Sequence, residues 1–303
     1  MMALFSTMYG WPSDGVRGKS CGIVKPKHPA HTTVVPQTST MAVKNCIFCG
    51  HHLAPSAQRQ PHSRTAEHVF AKWFRCLSNH QIMNMYIGSV DGMNPELKWR
   101  PTLNNLTMKG VCQACNCGWM SSLETAVEPL MVRIFGEADV DELSGSEVDT
   151  VARWTAKTAI TLSYATPQHA PVPLQASHSL HPDYQGPVRF GFFYSKITAD
   201  RTLENGHLQV VYGRELGLVG TPEVAGTRLV LCLNNHCLIV DFPPTFAGFG
   251  FDLSESCSAQ LWPTRRAAGV ATLSIDGPAT IDRVLLSVCA AIKVQVDTRA
   301  LRV

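Results

Sequence analysis

Apolar residues recur at helical spacing in two segments of the first half of the chain. One segment follows residue 68 and consists of Val69, Phe70, Trp73, Phe74 and Leu77. The other follows residue 119 and consists of Leu123, Val127, Leu130, Met131 and Ile134. Residues three or four apart share one face of a helix, so each segment predicts a helix. Pro129 predicts a bend in the second helix.

The pattern changes after residue 136, where helical spacing gives way to alternation. Residues 146–162 predict a helix capped by Ser146, with Asp149 three residues later. Residues 281–292 predict a last helix. Alternating apolar segments between the two predict strands at residues 188–197, 208–212, 228–233, 237–242 and 270–275.

These elements predict an α+β protein in three parts. Residues 1–40 have no periodic apolar pattern and predict a disordered leader ahead of Met41; the alternative is a flexible basic arm that touches a partner. Residues 41–140 form a small first unit. Residues 146–303 predict a separate α+β domain of open role, which could recognise a target, sense a signal or form a dimer. Its expected core includes Trp154, Phe190, Phe192, Leu231, Ile239 and Leu285, with a hairpin turn at Asn234-Asn235.

Composition excludes several classes of protein. The chain has 303 residues, of which 45% are hydrophobic and 16% charged, so disordered and fibrous classes are excluded. No apolar run reaches the roughly 18 residues that a membrane span needs, so we expect no membrane partner. The eleven cysteines are odd in number, and no secretory signal precedes them. We therefore expect a reduced, cytoplasmic compartment rather than a disulfide framework.

Charge is unevenly distributed along the chain. The total of +3 divides into +4 over residues 1–45, +3 over residues 46–135 and −4 over residues 136–303. A polyanion such as nucleic acid is attracted by clustered positive charge. Any nucleic-acid site is therefore expected in the first half of the chain.

Four of the cysteines form two Cys-x-x-Cys knuckles. Cys46 and Cys49 form the first, and Cys112 and Cys115 form the second after 62 intervening residues. Two such knuckles supply the four thiolates of a tetrahedral zinc ion, leaving no open position for water. The sequence therefore predicts a structural Zn²⁺ site. His51, His52 and Cys117 are alternative ligands.

Further residues between and beside the knuckles complete a recognisable order: Cys46-x-x-Cys49, then Glu67-His68, then Cys112-x-x-Cys115-Asn116-x-Gly118-Trp119. This order resembles the HNH endonuclease family, whose ββα-metal fold holds one divalent ion between two strands and a helix. The resemblance covers residues 41–135. It implies that the knuckles join a small fold together, which suits a unit with a modest core.

The resemblance also implies roles for three residues. His68 matches the general base, and Glu67 and Asn116 match ligands of a catalytic Mg²⁺ or Mn²⁺ distinct from the zinc. Two departures are visible: Glu67 stands where Asp is commoner, and the middle Asn of the family is not cleanly placed, with Asn104 and Asn105 as candidates. Phosphodiester hydrolysis needs an activated water and neutralised charge, which an imidazole and a hard ion with oxygen ligands supply.

The expected function is therefore a metal-dependent endonuclease, a hydrolase of nucleic acid with DNA favoured over RNA. The expected phosphate contacts are Lys72, Arg75, Lys98, Arg100 and Lys109, whereas Trp73, Phe74 and Trp119 are expected in the core. The alternative, from another class, is a non-catalytic zinc module that binds nucleic acid or protein. A redox role for the Cys-x-x-Cys pairs is disfavoured, because two pairs followed by Asn fit metal binding better.

Overall fold

The computed structural model describes separate stretches of the chain between residues 44 and 296. Its helices and mostly antiparallel strands confirm the α+β class. The expected leader at 1–40, Leu77, Asn104, Asn105, the Asn234-Asn235 turn and the last helix at 281–292 lie outside the described residues. The described ranges are 44–56, 60–74, 84–88, 96–99, 106–136, 142–165, 172–186, 190–199, 207–213, 226–233, 236–242, 249–252, 259–262, 272–275 and 293–296.

The described elements follow one another in this order. The strands are β1 (Arg64–His68), β2 (Asn84–Gly88), β3 (Glu96–Trp99), β4 (Thr107–Cys112), β5 (Gly191–Ala199), β6 (His207–Gly213), β7 (Gly226–Leu233), β8 (His236–Phe242), β9 (Phe249–Asp252), β10 (Ala259–Trp262), β11 (Thr272–Ile275) and β12 (Lys293–Val296). The helices are α1 (Gln113–Cys115), α2 (Ser121–Phe135), α3 (Gly145–Ala165) and α4 (Leu174–His178), with a π-helical turn at Asn116–Met120 between α1 and α2. None of the helices in this part of the chain is long and apolar enough to cross a bilayer.

Strands β1 and β4 form an antiparallel pair that connects the two knuckles. His68 lies opposite Thr107, and Arg64 lies opposite Cys112. The first knuckle is tied to β4 by a hydrogen bond of 3.0 Å from the amide of Ile47 to the carbonyl of Gly110. Helix α1, the π-helical turn and α2 follow β4 directly along the chain, with a kink at Gly118, whose ψ of −114° is not helical. The result is a two-stranded pair followed directly by a helical segment.

Most of the remaining strands form one large sheet. Its order is β10-β5-β8-β7-β6-β2-β3, and β11 also pairs with β5. The strands predicted in the second half are confirmed, since β5, β6, β7, β8 and β11 overlap the five expected segments. Strands β2 and β3 were not predicted, because they are short and β2 is held by a parallel ladder with the distant β6.

The region after Glu67 differs from the predicted helix. Residues 64–68 are strand, residues 69–73 are bend and turn, and Phe74 is helical. Val69, Phe70 and Phe74 are nevertheless buried, as their apolar character requires. In contrast, the stripe on α2 is confirmed, with Val127, Leu130, Met131 and Ile134 buried and Pro129 inside the helix.

Helix α3 packs on both the first unit and the large sheet. It contacts α2 and β4 on one side and β5, β8 and β10 on the other. The ring of Trp154 lies 5.5 Å from that of Trp73 and 5.5 Å from that of Phe74. One core cluster therefore runs from Cys46 to Leu261, across the boundary expected between residues 140 and 146. The expectation of two independent cores does not hold for the described residues, because α3 is buried on nearly all sides rather than on one face.

The start of α3 also differs from the expected cap. The amide of Glu147 donates to Ser144 Oγ at 3.3 Å, and the amide of Ser144 donates to Glu147 Oε2 at 2.7 Å. This reciprocal pair is a capping box, two residues earlier than the predicted cap at Ser146. The backbone and hydroxyl of Ser144 lower the pKa of Glu147 by hydrogen bonding to its carboxylate. Asp149 instead pairs with Arg153, 2.9 Å away.

Candidate metal centre and neighbouring polar residues

The first knuckle is a tight turn closed by backbone hydrogen bonds. The amide of Gly50 donates to the carbonyl of Cys46 at 2.9 Å, and the amide of Cys46 donates to the carbonyl of His51 at 2.8 Å. Gly50 has a φ of 75°, a left-handed conformation that residues with a Cβ rarely adopt. The turn brings the side chains of Cys46 and Cys49 to one side of the chain.

The second knuckle stands at the junction of β4 and α1. Cys112 is the last residue of β4 and caps α1, because its Sγ accepts from the amide of Cys115 at 3.5 Å. The amide of Cys112 in turn donates to Sγ of Cys46 at 3.4 Å. Strand pairing and helix capping therefore place the second pair of sulfurs against the first.

The four predicted sulfurs converge on one point and could hold a metal ion. All of them lie within 4.8 Å of one another. The distance is 3.7 Å between the sulfurs of Cys49 and Cys112 and 3.9 Å between those of Cys46 and Cys115. Four sulfurs about 2.3 Å from a tetrahedral ion lie about 3.8 Å apart. The cluster therefore has the dimensions of a closed tetrahedral site.

Hydrogen bonding and burial move the pKa values of Cys46, Cys49 and Cys115 in different directions. A hydrogen bond with the Cys115 thiol lowers the pKa of Cys46 to about 4, and the same contact raises the pKa of Cys115. Burial raises the pKa of Cys49 to about 12. Several thiolates this close together repel one another, so a fully ionised cluster needs a positive charge among the sulfurs. A bound cation would supply that charge.

The alternative ligands stand outside this cluster. Cys117 is exposed, and His52 is exposed on a short backbone bridge with Asn45. His51, His62 and Cys49 do offer ligand atoms within 4.8 Å of one another. However, the two rings stack at 4.2 Å with planes 10° apart. Each imidazole lone pair lies in its own ring plane, so two parallel rings cannot both bind one ion between them.

The aromatic residues near the knuckles pack as expected. Phe74 is fully buried, and Trp73 and Trp119 pack partly buried against the core. The edge of Trp119 meets the ring of Phe48 at 5.3 Å, beside the first knuckle. These rings are already covered by protein, so core packing accounts for them.

Glu67 and His68 lie on opposite faces of β1. The residue exposure of Glu67 is 8%, whereas His68 is exposed. Successive side chains in a strand point to opposite faces, which explains the difference. The two adjacent candidates therefore do not face one common point.

Glu67 forms an ion pair in the core. Its Oε1 lies 2.7 Å from Nζ of Lys157, which also lies 2.7 Å from Oε1 of Glu124. The other oxygen of Glu124 accepts from the indole nitrogen of Trp73 at 3.1 Å. Glu67, Lys157, Glu124 and Trp73 are called the Lys157 cluster below. A carboxylate held in this way does not fit the expected role of a metal ligand.

Asn116 is fixed in a manner that suits a ligand better. Its Nδ2 donates to Oγ1 of Thr65 at 3.1 Å, and that hydroxyl donates to the carbonyl of Val111 at 3.0 Å. With the amide nitrogen engaged, the carbonyl oxygen is the atom that can accept a hydrogen bond or bind a cation. The Asn116 side chain is therefore held by a hydrogen bond to Thr65 of β1, whereas the Glu67 carboxylate pairs with Lys157 of α3.

His68 belongs to an exposed face that also carries positive charge. It lies opposite Thr107, and the burial of β4 alternates so that Thr107 and Lys109 are both exposed. Lys72 is exposed as well. The side chains of the other expected phosphate contacts, Arg75, Lys98 and Arg100, lie outside the described residues.

Comparisons of the chain with protein-family models, with curated proteins and with solved structures found no match.

Proposed function

We propose that the chain is a zinc-containing nuclease of the HNH type that hydrolyses phosphodiester bonds in nucleic acid, DNA more than RNA. The observation that carries the proposal is the arrangement of β1, β4 and the helical segment behind them, joined by the four cysteines. Two strands and a helix in this order are what the HNH resemblance implies. His68 stands at the end of β1, and Asn116 stands where the helical segment begins.

The ion proposed for the four cysteines is Zn²⁺. Thiolates are soft ligands, and a closed set of four is typical of structural zinc. The ion would join the first knuckle to the strand–helix junction. Its role is to hold β1 and the helical segment together, with no part in the chemistry.

His68 is proposed as the general base. It is exposed, so water and a nucleic-acid backbone can reach its ring. A neutral imidazole takes the proton from water as the water attacks phosphorus. We propose that Lys109 of β4 and Lys72 beyond β1, which are both exposed, bind phosphate oxygens without reading sequence.

A divalent ion remains part of the expected reaction, and Asn116 is the residue that fits it. Mg²⁺ or Mn²⁺ would supply Lewis-acid stabilisation of the leaving oxygen when bound. Because Glu67 is engaged by Lys157, no step of the mechanism depends on Glu67 as a ligand.

The test is cleavage of supercoiled plasmid, single-stranded DNA and RNA by the full chain with Mg²⁺, Mn²⁺ or EDTA. Replacing a general base costs about 10²–10⁴ in rate, so His68→Ala should nearly abolish cleavage while keeping zinc content and folding. His52→Ala is the matched control, since it removes another exposed histidine outside β1. Cleavage by the His68→Ala protein at the wild-type rate would contradict the proposal.

A second candidate is favoured by one specific observation. The Lys157 cluster engages the carboxylate that the resemblance assigns to metal binding. A non-catalytic zinc module would keep the fold and the positive face while lacking hydrolysis. It predicts that wild type and His68→Ala bind nucleic acid equally and are equally inert.

A further inference from the structure

The Lys157 cluster is an unusual arrangement of charge for a protein core. Lys157 lies within α3 and is 0% exposed, and its Nζ contacts two carboxylates at 2.7 Å each. A buried charge needs close partners, because removing it from water is costly. Here one ammonium serves two anions that come from β1 and α2.

The ammonium charge is required by the geometry of the cluster. Without it, two carboxylates would lie in the core with no counter-charge from the described residues within hydrogen-bond distance. The cluster is also braced, since the indole of Trp73 donates to Glu124. A positive charge therefore lies between two carboxylate oxygens that come from separate elements.

Oxygen atoms from two carboxylates are also what a hard divalent ion selects. The two carboxylate oxygens lie no more than twice 2.7 Å apart, because each contacts the same nitrogen. An ion with oxygen ligands at about 2.1 Å could bridge them after a small adjustment of two flexible side chains. The ammonium and such an ion are thus alternative occupants of one place.

We infer that Lys157 is the resident cation of Glu67 and occupies the position that a divalent ion bound to Glu67 would need. The inference rests on the proposed function in one respect, because the HNH resemblance is what assigns Glu67 to a divalent ion. It follows that Glu67 serves as an ion-pair partner of Lys157 and does not bind metal in the native chain. It follows too that removing the ammonium opens a divalent-cation site formed by Glu67 and Glu124.

The test measures Mn²⁺ binding by the zinc-loaded full chain, using the electron paramagnetic resonance signal of free Mn²⁺. Glu67→Gln should leave the Mn²⁺ affinity of the wild-type chain unchanged within about twofold. Lys157→Met should gain one site that binds Mn²⁺ at least about tenfold more tightly than wild type. The double variant Lys157→Met/Glu124→Gln is the matched control and should lose the gained site.

Two outcomes would overturn the inference. If Glu67→Gln weakens Mn²⁺ binding by about tenfold in the presence of Lys157, Glu67 is a ligand through its other oxygen and the lysine merely orients it. If Lys157→Met folds and gains no site, the carboxylates do not form a cation site. Should Lys157→Met fail to fold, the Glu67→Gln comparison decides. None of these readouts requires cleavage, so failure of the proposed nuclease is recognised separately.

Discussion

The four-cysteine cluster and the Lys157 cluster lie in one core but differ in the source of the cation that balances their buried negative charge. The cysteines bring together four sulfurs that need a cation from outside to ionise fully. The Lys157 cluster contains its own cation, supplied by the chain itself. The proposed zinc site would therefore depend on the supply of metal, whereas the Lys157 cluster is complete as soon as the chain folds.

Because the two clusters obtain their positive charge from different sources, different treatments should destabilise them. A chelator would remove the proposed zinc ion and leave crowded thiols, but it cannot remove an ammonium that is covalently part of α3. Conversely, a single substitution at residue 157 leaves two buried carboxylates without a counter-charge. Loss of metal should thus affect the knuckles, and loss of the lysine should affect the contact between β1, α2 and α3.

The largest expected effect comes from the cysteines. Structural zinc contributes about 10–16 kcal/mol of apparent binding free energy in small zinc-dependent folds. Cys112→Ser should therefore lose zinc and unfold the region that contains β1 and β4, as measured by elemental analysis and circular dichroism. Cys117→Ser is the control, because Cys117 is exposed and outside the cluster. Equal zinc content in the two variants would show that the cluster does not bind the metal.

The next effect concerns the ammonium. Breaking a buried pair by removing one partner costs about 3–5 kcal/mol, so Lys157→Met should lower the free energy of unfolding by that amount in urea titrations. Arg153→Met, one turn earlier on α3, removes an ion pair that is partly exposed and should cost less than about 1 kcal/mol. Similar losses for both variants would mean that the Lys157 cluster is no stronger than a surface pair.

Alkaline pH should reduce the contribution of Lys157. Burial lowers the pKa of Lys157, but the carboxylates of Glu124 and Glu67 outweigh that effect and raise the pKa above its ordinary value in the folded state. The stabilisation is therefore fully present below the unfolded pKa and is lost as pH rises through the higher folded value. The difference in unfolding free energy between wild type and Lys157→Met should be constant from neutral pH to about pH 10 and should shrink above it. A difference that shrinks already below pH 9 would contradict the raised pKa.

The smallest expected effect concerns the N-terminal cap of α3, which lies outside both clusters and gives a scale for the other two effects. Ser144→Ala removes the hydroxyl cap of α3 and should cost about 1 kcal/mol in urea titrations. Ser146→Ala, at the position first expected as the cap, should cost less than roughly half of that. The pKa of Glu147 is lowered, so its part in the box is present above the unfolded pKa and is lost as pH falls through the folded value. A larger loss of stability for Ser146→Ala than for Ser144→Ala would show that Ser146 caps α3.

The same comparison explains what the sequence could predict. Each Cys-x-x-Cys knuckle is a local pattern with a fixed geometric meaning, so the four-cysteine cluster was predictable in full. The strands β7 and β8 follow from alternation that is local as well. The Lys157 cluster joins three distant segments, and no periodic pattern encodes such a contact.

A signal for Lys157 did exist in the sequence. It is the only Asp, Glu, Lys or Arg between Arg153 and Asp183, and it stands in an otherwise apolar and hydroxyl-bearing stretch of α3. A lone charge in such a stretch requires a buried partner. The sequence does not say that Glu67 and Glu124 are these partners, because that depends on how β1 and α2 pack on α3. The metal-ligand role expected of Glu67 could therefore not be tested before the packing was known.

The most direct measurement on the metal centre is X-ray absorption at the zinc edge of the purified full chain. We expect one zinc ion per chain with a first shell of four sulfur atoms at about 2.3 Å. That result would establish Cys46, Cys49, Cys112 and Cys115 as a closed site that holds β1 and the helical segment together. A shell that contains nitrogen, as ligation by His51 or His62 would give, or a chain that folds without zinc, would contradict it.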